Sequence, residues 1–262
     1  MKYYIVDAFT DELFKGNQAG VCLLNEWSDD KLMQSIAAEN NLAETAFVVK
    51  RDNHYDLRWF TPEMEFDLCG HATLASAFIV SNFIDKKAEI ITFETKSGIL
   101  TVAKKGKLYE MDFPSRSPDP IAVTLEMEKA VGVPVLEAFQ SRDLMLLVEN
   151  EEVVRNLTPN IELLKYIPGA SVGVIITAKG ESCDFVSRYF APNVDSMSPE
   201  DPVTGSAHCT LIPFWSERIG KEKMIAKQLS KRGGTIYCED NGDRVKISGN
   251  AVLYLQGSIS VE

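Results

Sequence analysis

The chain repeats itself once, and that repetition restricts its fold more than any other feature. Arg58-Trp59-Phe60-Thr61-Pro62-Glu63 is matched by Arg188-Tyr189-Phe190-Ala191-Pro192-Asn193, 130 positions later in a chain of 262 residues. Each run leads to a glycine-led apolar stretch, at Gly70 and at Gly205, with five extra residues in the second copy. A repeat of half the chain length indicates two duplicated domains and not a solenoid. Each half is long enough to bury a core of its own.

The local pattern is strand-rich. YYIVDAF, AGVCLL, ETAFVVK, YDLRWF, EIITFET, GILTVAK and LYEMDF read as strands in the first half. LMLLVEN, VGVIITAK, CDFVSRYF, GTIYCED, RVKISGN and AVLYLQGSISV do so in the second. DDKLMQSIAAEN carries Leu32, Met33, Ile36 and Ala37 at helical spacing. The stretches 70–83 and 205–219 are apolar on nearly every side, the signature of a buried helix. The class is therefore α+β, with each half wrapping a sheet around one central helix. Phe113–Val123, with Pro114, Pro118 and Pro120, is the expected linker. It separates domains 1–115 and 122–262, with the C-terminal strands free to pack back onto the first.

Bulk properties remove several functions. There are 27 basic and 38 acidic residues, a net charge of −11. That balance argues against nucleic acid or an anionic membrane as the main partner, though a local site can still hold an anion. The start, MKYYIVDAFTDELF, has no signal-peptide character. No segment approaches the roughly 18–20 apolar residues that span a bilayer. The five cysteines are scattered, without a CxxC, and there are three histidines. Reduced thiols in the cytoplasm and no metal site are the expectation.

The helix starts carry the functional signal. The first N–H groups of a helix lack internal partners, and the dipole there favours anions. Two duplicated halves packed face to face aim two such ends at one cleft, where a substrate carboxylate fits. The alternative is that Asp201, Thr204 or Ser206 simply caps its helix. A lone histidine is more often structural, but His71 stands in the first turn of a buried helix, so its position favours a role in the site. His208, three residues into the second helix, reads as structural. Asp201 precedes a proline, which holds it extended and outside the helix. It either caps or bonds a ligand. Cys69, just before Gly70, is either a thiol base or a small core residue. Glu44 is the only charge between Asn40 and Val49. An acid heading so apolar a strand is either an exposed edge residue or a buried proton carrier.

Four motifs, VDAFTDELFKGNQAGVCLL, NNLAETAF, FDLCGHATLAS and EDPVTGSAH, together resemble the phenazine-biosynthesis PhzF-type isomerases. They cover nearly the whole chain in order. The resemblance implies a diaminopimelate-epimerase-like fold: two pseudo-symmetric domains, each a β-barrel-like sheet around its helix, with the site between them. It implies a cofactor-free isomerase whose acid/base glutamate falls on Glu44. The substrate-contacting glycine and histidine fall on Gly70 and His71, the Asp and Ser on Asp201 and Ser206, with Gly205 at the helix start. The activity implied is proton movement within a ring such as a dihydro-hydroxyanthranilate. A homodimer is implied on the same ground. The related epimerases set a cysteine before the helix glycine in both halves, whereas this chain has Cys69 and then Thr204. A hydroxyl is too weak an acid to replace the second thiol. An epimerase using Glu44 with Cys69, and a non-catalytic carboxylate-binding module, stand as alternatives. Substrate specificity is expected in Asn193–Ser198.

Overall fold

The computed structural model describes residues 1–193 and 199–261. The expected specificity segment, Asn193 apart, lies outside the described residues. The chain forms two compact units. Unit 1 is Met1–Asp112 with Ser248–Glu262, and unit 2 is Phe113–Ile247.

Unit 1 begins with β1 (Lys2–Ala8), β2 (Asn17–Leu24), α1 (Asp30–Asn40) and β3 (Glu44–Lys50). Next come β4 (Tyr55–Phe60), β5 (Glu65–Phe66) and α2 (Gly70–Ile79). The meander β6 (Ile90–Thr95), β7 (Gly98–Lys105) and β8 (Leu108–Pro114) follows. Unit 2 continues with β9 (Asp119–Ile121), α3 (Leu125–Val131), β10 (Glu137–Gln140) and β11 (Leu144–Leu147). Two short helices, α4 (Glu151–Asn156) and α5 (Ile161–Leu164), precede β12 (Val174–Lys179), β13 (Phe185–Phe190) and β14 (Glu200–Asp201). Then come α6 (Gly205–Ile219), β15 (Lys223–Gln228), β16 (Gly234–Asp240) and β17 (Arg244–Gly249). The last strand, β18 (Ala251–Ser258), pairs antiparallel with β1.

The duplication holds at the level of strand register. In unit 1, β2 runs parallel to β3, β3 antiparallel to β4, and β4 antiparallel to β5 and parallel to β6. In unit 2, β11, β12, β13, β14 and β15 repeat that pattern. Thr45 pairs with Phe60 and Phe60 with Glu65; Val174 pairs with Phe190 and Phe190 with Glu200. The repeated arginines are clamps. Arg58 holds Glu65 through Nε and Nη2 at 2.6 and 2.8 Å, and Arg188 holds Glu200 at 2.6 and 3.0 Å. Such bidentate pairs fix geometry as well as charge. They pin the short strand that delivers the chain to each central helix.

Both central helices are core. Ala72, Leu74, Ala75, Ala77 and Ile79 of α2 are fully buried, and the helix packs on β1, β2, β3 and β18. In α6, Leu211 and Ile212 are fully buried, Trp215 stacks on Phe185, and the Trp215 indole donates to Thr177 Oγ1 at 2.9 Å. Burying a large apolar side chain contributes about 1.5–3 kcal/mol, so these helices anchor their units.

Several expectations need adjusting. The helix expected over 70–83 is α-helical only to Ile79 and closes in a π-helical turn, Val80–Ile84. The expected linker starts where the two units divide, at Asp112/Phe113; within it Phe113 is buried and the exposed Asp119–Ile121 pairs with β10. The helices α3 to α5 and the strands β5, β9, β10, β14 and β15 are not legible in the sequence pattern, because elements of two to seven residues are too short to show periodicity. The helix caps, Thr124, Asn150 and Asn160, were the available signal.

Candidate functional site

The two central helices differ from the others at their N-termini. The starts of α1, α3, α4 and α5 are capped by the side chains of Asp29, Thr124, Asn150 and Asn160. Neither α2 nor α6 has a side-chain cap. The reading of Thr204 as a cap is therefore corrected. Its hydroxyl donates to Asp201 Oδ2 at 2.6 Å and accepts from Gln228 Nε2 at 3.1 Å, which turns it from the helix. Gln228 Oε1 also takes the Thr204 N–H at 2.9 Å. A missing cap costs a helix roughly 0.5–2 kcal/mol, and it leaves the first N–H groups open to a ligand.

In unit 1 the opening of α2 carries a polar cluster. Glu44 is the first residue of β3, and His71 the second of α2. Glu44 Oε2 lies 3.0 Å from His71 Nε2, with their side chains 18% and 6% exposed. The two atoms are at ion-pair distance without hydrogen-bond alignment, since each lacks a hydrogen-bond partner. On the other edge of the ring, Nδ1 faces Asn17 Nδ2 at 3.3 Å and Cys69 Sγ at 3.5 Å. Burial alone would push the imidazole pKa down. The Glu44 carboxylate, and the Cys69 sulphur when it is ionised, oppose that and hold His71 above its ordinary value. Burial, reinforced by the Glu44 charge, raises the Cys69 thiol, so it favours the protonated form. Carboxylate, thiol and imidazole each offer one atom within 4.8 Å of the others, a cation-compatible grouping that sequence spacing did not reveal.

In unit 2, Asp201 is the last residue of β14 and reaches Thr204, while Gly205 and Ser206 open α6. Ser206 Oγ accepts from Arg142 Nη2 at 3.0 Å. His208 is fully buried; its Nδ1 faces the Thr204 carbonyl at 2.8 Å, and burial pushes its pKa down to about 4. It therefore serves as packing. Sequence reasoning gave no role to Asn17, Gln228 or Arg142. Arg142-Asp143 stands as a charged pair directly before the wholly buried strand Leu144–Leu147, which was a usable signal. Gln228 left none.

A depression of about 730 Å³ lies elsewhere, lined by Arg51, His54, Asp56, Arg58 and Glu94 among others. There His54 Nε2 is 3.1 Å from both Asp56 and Glu94, and Arg51 pairs with Asp56. These side chains pair with one another. All five cysteines are unpaired. Among the described residues, no helix is long and apolar enough to cross a membrane.

Residues 6–257 match the family model described as phenazine biosynthesis-like protein. An uncharacterized isomerase of Pseudomonas aeruginosa is 46% identical over 97% of this chain and 96% of its own. A crystal structure of a PhzF family phenazine biosynthesis protein from Enterococcus faecalis is 48% identical, covers 99% of each chain and superposes with a TM-score of 0.97. A predicted epimerase from Pseudomonas aeruginosa, 17% identical over 100% of this chain and 99% of its own, shares the fold with a TM-score of 0.73.

Proposed function

The chain belongs to the phenazine biosynthesis-like (PhzC-PhzF) family, and from that premise we propose that it is a cofactor-independent isomerase acting on a small carboxylate-bearing substrate. Glu44 removes a proton from one substrate carbon, exchanges it with solvent, and delivers a proton to another carbon. His71, 3.0 Å away, positions the Glu44 side chain. The observation that carries this reading is the 3.0 Å Glu44–His71 pair at an uncapped, buried helix start. A carboxylate within reach of a substrate carbon is the general base, and positioned proton transfer typically contributes about 10²–10⁴-fold. The open N–H groups at Gly70 and Gly205 favour the substrate's negative charge. Asp201 and Ser206 orient the substrate; Asp201 suits an amino or hydroxyl group.

The epimerase alternative needs a thiol base. Burial holds Cys69 protonated, and Thr204 stands where a second thiol would be, so the glutamate reading is preferred. On the same reading the enzyme works in the cytoplasm, and a homodimer is the assembly to test by sedimentation. The test of function uses a dihydro-hydroxyanthranilate in D₂O, followed by mass spectrometry. The wild type takes up one deuterium per product. Full uptake by Glu44→Gln, or none by the wild type, overturns the proposal.

A further inference from the structure

The two units share a register but not a chemistry. Glu44 directly precedes Thr45, the partner of Phe60; the corresponding residue before Val174, the partner of Phe190, is Gly173. A Cβ at Gly173 would overlap the Tyr189 hydroxyl. That hydroxyl donates to Asp143 Oδ1 at 2.9 Å. Asp143 is fully buried, and it accepts from Arg142 Nε at 3.0 Å and Arg142 Nη2 at 3.1 Å. Where unit 1 sets a carboxylate against a histidine, unit 2 uses its buried carboxylate to hold a guanidinium.

Asp143 holds Arg142 against the positive end of α6, a place that favours a further anion. Arg142 Nη2 donates to Ser206 Oγ, so the Ser206 hydroxyl proton is left to point elsewhere. Its Nη1 makes no hydrogen bond among the described residues, and the side chain is 33% exposed. A second guanidinium meets the same helix. Pro213 has no N–H to give the Cys209 carbonyl four residues back, and the Arg116 backbone N–H fills that place at 2.9 Å. Arg116 Nη1 is buried and has no hydrogen-bond partner. Burial raises the Cys209 thiol to about 11, while the charges of Arg116 and Arg142 both act against that rise.

We propose that Arg142 is the carboxylate-recognising residue of unit 2: its Nη1 edge, the Ser206 hydroxyl and the open N–H groups of α6 take the oxygens of an organic carboxylate. This assignment rests on the isomerase reading and names the side chain that selects its substrates. Arginine suits the task because its planar fork matches a carboxylate.

Calorimetric titration with 2-aminobenzoate, its neutral amide and inorganic phosphate tests the proposal. The wild type binds the acid more tightly than the amide. Arg142→Gln loses roughly 10–100-fold in affinity for the acid and none for the amide. Because Arg142→Gln leaves the buried Asp143 without its cation, Arg142→Gln/Asp143→Asn serves as the folded control and loses the same preference. A folded double variant that keeps the acid-over-amide preference overturns the assignment, as does Arg142-dependent binding of phosphate alone. If that preference survives while Glu44→Gln abolishes deuterium uptake, only the Arg142 assignment fails. If the wild type shows neither uptake nor preference, both fail.

Discussion

Glu44 Oε2 stands 3.0 Å from His71 Nε2 at the mouth of α2, while unit 2 holds Gly173 and Ser206 at the matching positions. The repeat has kept its scaffold and divided its chemistry. The clamps Arg58–Glu65 and Arg188–Glu200 are alike in both copies, yet the acid–imidazole pair exists in one.

That pair predicts how His71 titrates. Burial opposes the ring's charge, but the Glu44 carboxylate, and the Cys69 sulphur when it is ionised, override it, so its folded pKa lies above 6.5. A raised folded pKa contributes stability that is fully present below about pH 6.5 and is lost as pH climbs through the folded value. With three histidines in the chain, NMR can follow the ring directly. Glu44→Gln removes the carboxylate and should bring the His71 midpoint down, since burial then acts with less opposition. An unchanged midpoint would mean that Glu44 does not set the charge of His71.

Cys69 separates proton shuttling by glutamate from epimerisation by thiol. Cys69→Ser should retain deuterium uptake to within about threefold, because the thiol is held protonated and beside the ring. Its effect should appear in the His71 titration instead. A loss of 10²-fold or more, with Glu44→Gln still active, would move the base from Glu44 to Cys69.

The sequence exposed what is periodic or local. Gly205 to Ile219 is a helix because its apolar run has no polar face, and Glu44 stood out because its neighbours are apolar. What stayed hidden is joined through space. Gln228 holds Thr204 from 24 residues away, and Asn17 reaches His71 across 54. Nothing along the chain says that the Thr204 hydroxyl will be drawn to Asp201 and away from its helix. Arg116 is a further case: its attachment to Cys209 depends on Pro213, whose missing N–H has meaning only once the helix exists.

The clamps should be structural and should not affect the chemistry directly. Arg188→Met leaves Glu200 without its bidentate partner and frees the carbonyl of Leu157, which takes Arg188 Nη1 at 2.7 Å. Glu200 is 19% exposed, so water recovers part of the loss, and a destabilisation of about 2–4 kcal/mol is expected in urea. The double change Arg188→Met/Glu200→Gln should recover part of it. A single variant as stable as the wild type would show that the repeat is held by packing alone.

His208 supplies the opposite pH signature from His71. Burial pushes its ring down to about 4 from 6.5, with the Thr204 carbonyl opposing the shift. Between those values the unfolded chain binds a proton that the folded chain refuses, so stability falls as pH drops from about 6.5 towards 4. The shift corresponds to on the order of 3 kcal/mol at full effect. His208→Gln cannot titrate, and its amide can still donate to the Thr204 carbonyl. That variant should be less stable than the wild type at pH 7.5, because the ring packs against Phe185 at 6.0 Å between centroids. It should also lose less on acidification, so the difference between the two proteins narrows at pH 4.5. Urea unfolding at the two pH values measures both terms. Parallel loss in the two proteins would place the acid sensitivity on other groups.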